Sequence, residues 1–174
     1  MHEPGGVPSP DGPKVLVDDR TTTNDPDPES LGELLAAVLL AEGAPRGSEA
    51  GLHLVGVSEM AELNLDTMGK EGPTDVLSFP VDGISFDGMS DDDGATLPHL
   101  VGDVVLCTEV AMRNSTLHAG TIEDECRLLV VHGGLHRCGW DHQTPDQQRD
   151  MGERERELMA SLGVSPSRDP WSHR

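Results

Sequence analysis

Apolar residues recur at helical spacing from Leu31 through Leu34, Leu35 and Val38 to Leu39. Pro28 and Gly43 bracket them as a start and a stop, which predicts a first amphipathic helix. Ahead of it Lys14–Asp18 is a short strand-like run, and beyond it Leu52–Val57 alternates as a second strand. Ser58 is placed to cap a short helix carrying Met60, Leu63 and Met68. Val76, Leu77 and Phe79 lie between Pro73 and Pro80, the pattern of a strand with edge or bend character. Asp82 to Pro98 is rich in Gly, Asp and Ser without periodicity and predicts a solvated loop. Leu100–Cys107 then supplies a buried strand interrupted by Gly102-Asp103, and a helix follows from Thr108 through Leu117.

The next helix has Thr121 as its cap, with Asp124 three places on. Cys126, Leu128, Leu129, Val130, Val131 and Leu135 make it apolar around most of its circumference, so it belongs in the interior. Thr144-Pro145-Asp146-Gln147 starts a final helix whose inner stripe is Met151, Leu158, Met159 and Leu162, and Gly163 ends it. The run Glu153 to Glu157 on that helix suits a solvated face. Strands alternating with helices predict an α/β (α+β) fold, a small mixed sheet of about four strands packed with five to six helices.

Length brings in the domain count. The 174 residues fit one domain over 14–163, with a flexible tail at 1–13, a loop insertion at 82–98 and a second tail at 164–174. Charge then narrows the partners. Thirty-two acidic residues against 12 basic ones, a net charge of -20, exclude a general electrostatic grip on DNA or an anionic membrane, so any RNA must be held locally. Cys107, Cys126 and Cys138 form no CxxC pair and fit free thiols in a reducing compartment. The first residues lack the pattern of a signal peptide, and the longest apolar run, Leu34–Ala41, is too short to cross a bilayer. A cytoplasmic protein is the resulting expectation.

The chemistry concentrates in His132-Gly-Gly-Leu-His136-Arg-Cys-Gly139-Trp-Asp-His142. Histidines four apart on a helix stack on one face within reach of a single ion. Gly139 can adopt the left-handed conformation that ends a helix, so the chain can turn and bring back His142 as a third nitrogen ligand. Three imidazoles with an open fourth position are the ligand set of a catalytic zinc ion, although imidazole also suits nickel, copper and iron. The spacing matches the metalloprotease frame of histidines and glycine, but Gly133 stands where that frame has its glutamate base. A peptidase is therefore the weaker reading of the same ligands.

The H-G-x-L-H-x-x-G-[YW]-D-H block resembles the signature of the YbeY family of endoribonucleases. Asn64, Pro73-Thr-Asp-Val-Leu-Ser-Phe-Pro80 and Leu100-x-Gly-Asp-Val-Val-Leu-Cys107 resemble that family's other segments in the same order, and the likeness runs from about Lys14 to Gly163. The resemblance implies a zinc-dependent endoribonuclease specific for single-stranded RNA. Such an enzyme acts in maturation of the 3' end of small-subunit (16S) rRNA and in ribosome quality control, with the small subunit and its assembly factors as partners. His132, His136 and His142 match the family's metal ligands, while Met68 stands where many members carry an arginine. Arg137 and Cys138 replace residues that are usually apolar.

Within that frame His132 and His136 are also the catalytic candidates, with Asp141, Asp75 and Asp103 as proton acceptors or as carboxylates that orient imidazole. Arg137, Lys70 and Ser78 are candidates for contact with RNA phosphate. Two rival functions use the same residues, a metallopeptidase-like hydrolase and a ribosome-assembly factor whose zinc is mainly structural.

Overall fold

The computed structural model of the protein describes residues 12–22, 25–80 and 100–171. The expected loop at 82–98 and nearly all of the expected tail at 1–13 lie outside the described residues. Four strands, β1 (Lys14–Asp19), β2 (Glu49–Leu54), β3 (Val76–Pro80) and β4 (Leu100–Leu106), form one sheet in the order β1-β2-β4-β3. The β1–β2 and β2–β4 pairs are parallel and β3 runs antiparallel to β4, so the sheet is mixed and the proline-bounded strand is an edge, as expected. Five helices accompany it: α1 (Pro28–Ala41), α2 (Val57–Met68), α3 (Thr108–Ser115), α4 (Ile122–Arg137) and α5 (Pro145–Ser161).

Alternation along the strands sorts the two faces of the sheet. Val15, Val17, Ala50, Leu52, Leu54, Val104 and Leu106 pack beneath α1 and α4 in one apolar cluster with Leu31, Leu35, Leu39, Leu129 and Val130. Burying each such leucine stabilises the fold by on the order of 2 kcal/mol. Toward α5 a second cluster gathers Val38, Leu128, Val131, Leu135, Met151, Leu158 and Met159. α2 covers part of the opposite face, where Met60 packs with Leu77, Val105 and Cys107.

Local sequence accounts for most helix ends. Asp27 accepts the Ser30 amide at the start of α1 with Pro28 at its first position, and Thr121 accepts the Asp124 amide at the start of α4. Thr144 and Gln147 complete a reciprocal capping box on α5. Ser58, expected to cap α2, lies inside it; Gly56 is the cap residue and supplies no side-chain bond. Met68 in the last turn of α2 is 56% exposed rather than packed.

The C-terminal residues correct another expectation. A tail was expected from residue 164, yet Val164 is buried, and the Ser167 amide donates to the Asp124 carboxylate at 3.0 Å. Trp171 reaches back to α5, where its indole N–H donates to Glu155 at 3.0 Å. Residues 164–171 therefore belong to the fold. A tail segment can be short and polar on average and still be anchored by one large amphipathic side chain.

Candidate metal centre

α4 carries the two helical histidines, and its position depends on the glycine pair between them. A Cβ on Gly133 would sit 2.8 Å from Val104 Cγ1, and one on Gly134 would sit 2.9 Å from Val38 Cγ1 and 3.0 Å from Leu35 Cδ1. The helix is thus wedged between the sheet and α1 at a distance that only glycine permits. The same crowding leaves no room at position 133 for the glutamate of the protease frame.

α4 ends as the sequence predicts. Gly139 has φ +96°, the Trp140 amide donates to the Leu135 carbonyl at 3.1 Å and the Gly139 amide to the His136 carbonyl at 3.2 Å, the paired bonds of a Schellman cap. The reversal returns His142 to the helix. Its ring centroid lies 5.2 Å from that of His132 and 4.8 Å from that of His136, while those two are 4.7 Å apart. One ligand nitrogen from each of the three rings falls within 4.8 Å of the others, so this group could hold a metal ion.

The hydrogen bonds fix which nitrogens face inward. The Trp140 carbonyl, which can only accept, lies 2.9 Å from His136 Nδ1, so the proton of the neutral ring is on Nδ1 and the lone pair is on Nε2. His132 Nδ1 contacts the Glu155 carboxylate, which likewise places its lone pair on Nε2. The two Nε2 atoms face one another at 3.1 Å. A cation about 2.0–2.1 Å from each would separate them by roughly 3.4 Å, so the observed spacing suits a shared ion. Burial, reinforced by the neighbouring His132 and His142, lowers His136 from its ordinary 6.5 to about 4, against the opposing bond to Trp140. His136 is therefore neutral, the form that ligates.

Beside the histidines lies a cavity of about 310 Å³ lined by His132, His142, Gln148 and Met151. His142 is exposed, so the cluster opens to solvent on that side. Glu42, at the end of α1, accepts from Trp140 Nε1 at 2.9 Å and from Arg154 Nε at 2.6 Å, tying the ligand-bearing turn to α1 and α5.

The remaining candidates are scattered. Asp141 accepts the His142 amide at 2.8 Å, next to the cluster. Asp75 accepts the Val76 amide at 2.8 Å, a bond within its own turn, and Ser78 donates to the Gly133 carbonyl at 3.3 Å. Asp103 projects from the sheet face away from α4 and bonds His53 Nε2 at 3.2 Å, so it is not a partner of the metal ligands. Arg137 is only 8% exposed, and its Nε and Nη1 find no hydrogen-bond partner among the described residues. Lys70 is exposed just beyond the end of α2. Cys138 packs against the core, burial pushes its thiol up to about 12 in the metal-free protein, and it stands outside the cluster of the three histidines.

Sequence reasoning missed Glu155 and Glu42. The charged neighbours of Glu155 suit a solvated face, yet it is 0% exposed and lies against His132. Its one available signal was its place on the inner stripe, four residues after Met151 and three before Leu158.

Fold and site together define an α/β protein with a three-histidine centre at the end of a buried helix, open to solvent on one side. A profile described as endoribonuclease YbeY matches residues 17–163. The chain is 43% identical over 133 residues to an endoribonuclease YbeY of Corynebacterium glutamicum, covering 76% of this chain and 67% of that one. It is 41% identical over 150 residues to an endoribonuclease YbeY of Frankia alni, covering 84% and 81%. A solution structure of TM1509 from Thermotoga maritima matches the fold with a TM-score of 0.53 at 24% identity, covering 92% of this chain and 99% of that one. The chain belongs to the YbeY family of endoribonucleases. No helix among the described residues is long and apolar enough to cross a membrane.

Proposed function

We propose that the protein is a zinc-dependent endoribonuclease acting on single-stranded RNA. In this reading it matures the 3' end of 16S rRNA and serves ribosome quality control in the cytoplasm, with the small subunit and its assembly factors as partners. The observation that carries the metal assignment is the convergence of three imidazoles, with His132 and His136 Nε2 only 3.1 Å apart and one nitrogen of each ring within 4.8 Å of the others. Three nitrogen donors suit zinc.

When bound, the ion supplies Lewis acidity toward a phosphoryl oxygen and toward developing negative charge. His132, His136 and His142 hold it, and the open side by His142 admits a flexible strand to the reacting position. Asp141, adjacent to His142, is the proton acceptor in this reading because of its place beside the cluster; like Asp75, it accepts the amide of the residue that follows it. The exposed Lys70 is the candidate for a phosphate contact. Arg137 is buried and Ser78 is bonded to Gly133, so neither contacts substrate in this reading.

The peptidase alternative is disfavoured by the crowding at Gly133. A purely structural zinc is disfavoured by the open, exposed His142 side. The test measures zinc content and single-stranded RNA cleavage together in the intact protein and in His132→Ala, His136→Ala and His142→Ala. Near one zinc per chain, lost along with cleavage in each variant, is expected. Zinc without cleavage in the intact protein would favour the assembly-factor reading.

A further inference from the structure

A fully buried carboxylate needs a reason, because removing an ionised group from water is costly unless partners replace the lost hydration. Glu155 is 0% exposed, and its two oxygens are used on different sides. Oε1 meets His132 Nδ1, and Oε2 accepts the indole N–H of Trp171 at 3.0 Å. Trp171 is held in turn by the Arg156 guanidinium, 5.1 Å above its ring, and by its backbone N–H, which donates to the Asp169 carboxylate at 2.9 Å.

We propose that Glu155 and Trp171 are positioning residues for the metal centre: the carboxylate holds His132 as the Nδ1–H tautomer with Nε2 aimed at the ion, and Trp171 fixes the carboxylate. The inference rests on the reading of the three histidines as metal ligands. A carboxylate oxygen that accepts from Nδ1–H excludes the neutral tautomer with its proton on Nε2, and it raises the basicity of the ring toward a cation. Trp171 N–H occupies the outer oxygen, so Oε1 stays directed at the imidazole. His136 receives its orientation differently, from the Trp140 carbonyl, a backbone group that no substitution removes. His132 alone among the helical ligands therefore depends on a side chain, and through it on the C-terminal segment.

Two variants separate positioning from bulk. Trp171→Phe keeps an aromatic ring but removes the donor. Glu155→Gln keeps an acceptor for Nδ1–H but removes the charge and turns an amide N–H toward the Trp171 indole. Zinc affinity is measured on the full chain by competition with a chromophoric chelator, and the His132 tautomer is read by ¹⁵N NMR on the metal-free protein at neutral pH. Zinc binding about tenfold weaker or more is expected for Glu155→Gln, whose amide can flip to accept from Trp171 and turn its own N–H on His132 Nδ1, and about three- to tenfold weaker for Trp171→Phe, each with His132 shifted toward mixed tautomers. The double variant should lose less than the product of the two, because Phe relieves the clash of facing donors.

Unchanged affinity, within twofold, with an unchanged His132 tautomer in Trp171→Phe would overturn the role of Trp171, and the same result in Glu155→Gln would overturn the whole proposal. If Glu155→Gln does not fold, Glu155→Asp, which withdraws the carboxylate from His132 Nδ1, takes its place in both measurements. Intact protein that takes up no zinc would sink the metal reading instead, and the tautomer measurement on metal-free protein would still decide whether Glu155 orients His132.

Discussion

Single residues in this chain are set by very short distances. Gly133 is the sharpest case, since its missing side chain is what allows α4 to rest on Val104. Gly133→Ala should lower stability by about 1–3 kcal/mol, read as a fall in the thermal midpoint, because a β-branched neighbour has no flexible end to yield. Unaltered melting would show that α4 can lift off the sheet without penalty. Arg137 makes the opposite prediction. Its guanidinium is buried without a hydrogen-bond partner at Nε or Nη1 among the described residues, and burial lowers its pKa. Arg137→Leu should raise the stability by about 1–3 kcal/mol while leaving RNA cleavage intact. A loss of cleavage would return this arginine to the substrate side.

His136 sets a pH dependence. Its folded-state value of about 4 lies below its ordinary 6.5, so the unfolded chain binds the extra proton first. The metal-free protein should therefore keep this contribution above about pH 6.5 and lose it as the pH falls toward 4. Thermal melts across that window should show a shallower slope in His136→Ala than in the parent.

At the level of elements, the centre is a helix end and the turn that follows it. Gly139 at φ +96° stops α4 and sends the chain back toward it, so it governs where His142 arrives. Gly139→Ala should cost about 1–2 kcal/mol of stability. It should also weaken zinc binding more than an equally destabilising change elsewhere, such as Thr144→Ala, which removes the capping box of α5 at about 1 kcal/mol. Equal zinc affinity in the two variants would mean that the turn does not set the third ligand. These elements were largely legible beforehand, because a proline start, a capping threonine and a terminal glycine act on their own few neighbours. Ser58 misled for the same reason: its type suits a cap, but the chain enters α2 two residues earlier, at Gly56.

For the whole molecule, the two chain ends behave differently. β1 begins at Lys14, so removing residues 1–13 should leave melting and zinc content essentially unchanged. Ending the chain at Gly163 should lower the thermal midpoint by several degrees and weaken zinc binding. That truncation removes buried Val164, the Ser167 bond to Asp124 and the Trp171 bond to Glu155. Indifference to that cut would make residues 164–171 a tail after all. Net charge acts at this scale as well. At -20, the chain offers little long-range attraction for RNA, so the proposed function requires that substrate be held by contacts near the centre.

The sequence alone determined what depends on spacing along one element: the helical histidine pair, the glycine that turns the chain back toward it and the buried character of α4. It also carried the family, through three blocks of residues in order. What only the tertiary structure decided are the relations between elements. It showed why two adjacent glycines stand between the ligands, which face of the sheet Asp103 occupies, and that Arg137 is buried. It also showed that Glu155 and Trp171, 23 and 39 residues beyond His132, meet behind the His132 ring. Capping and periodicity are local and can be read along the chain, whereas close packing and the pairing of buried polar groups require the neighbours that folding supplies.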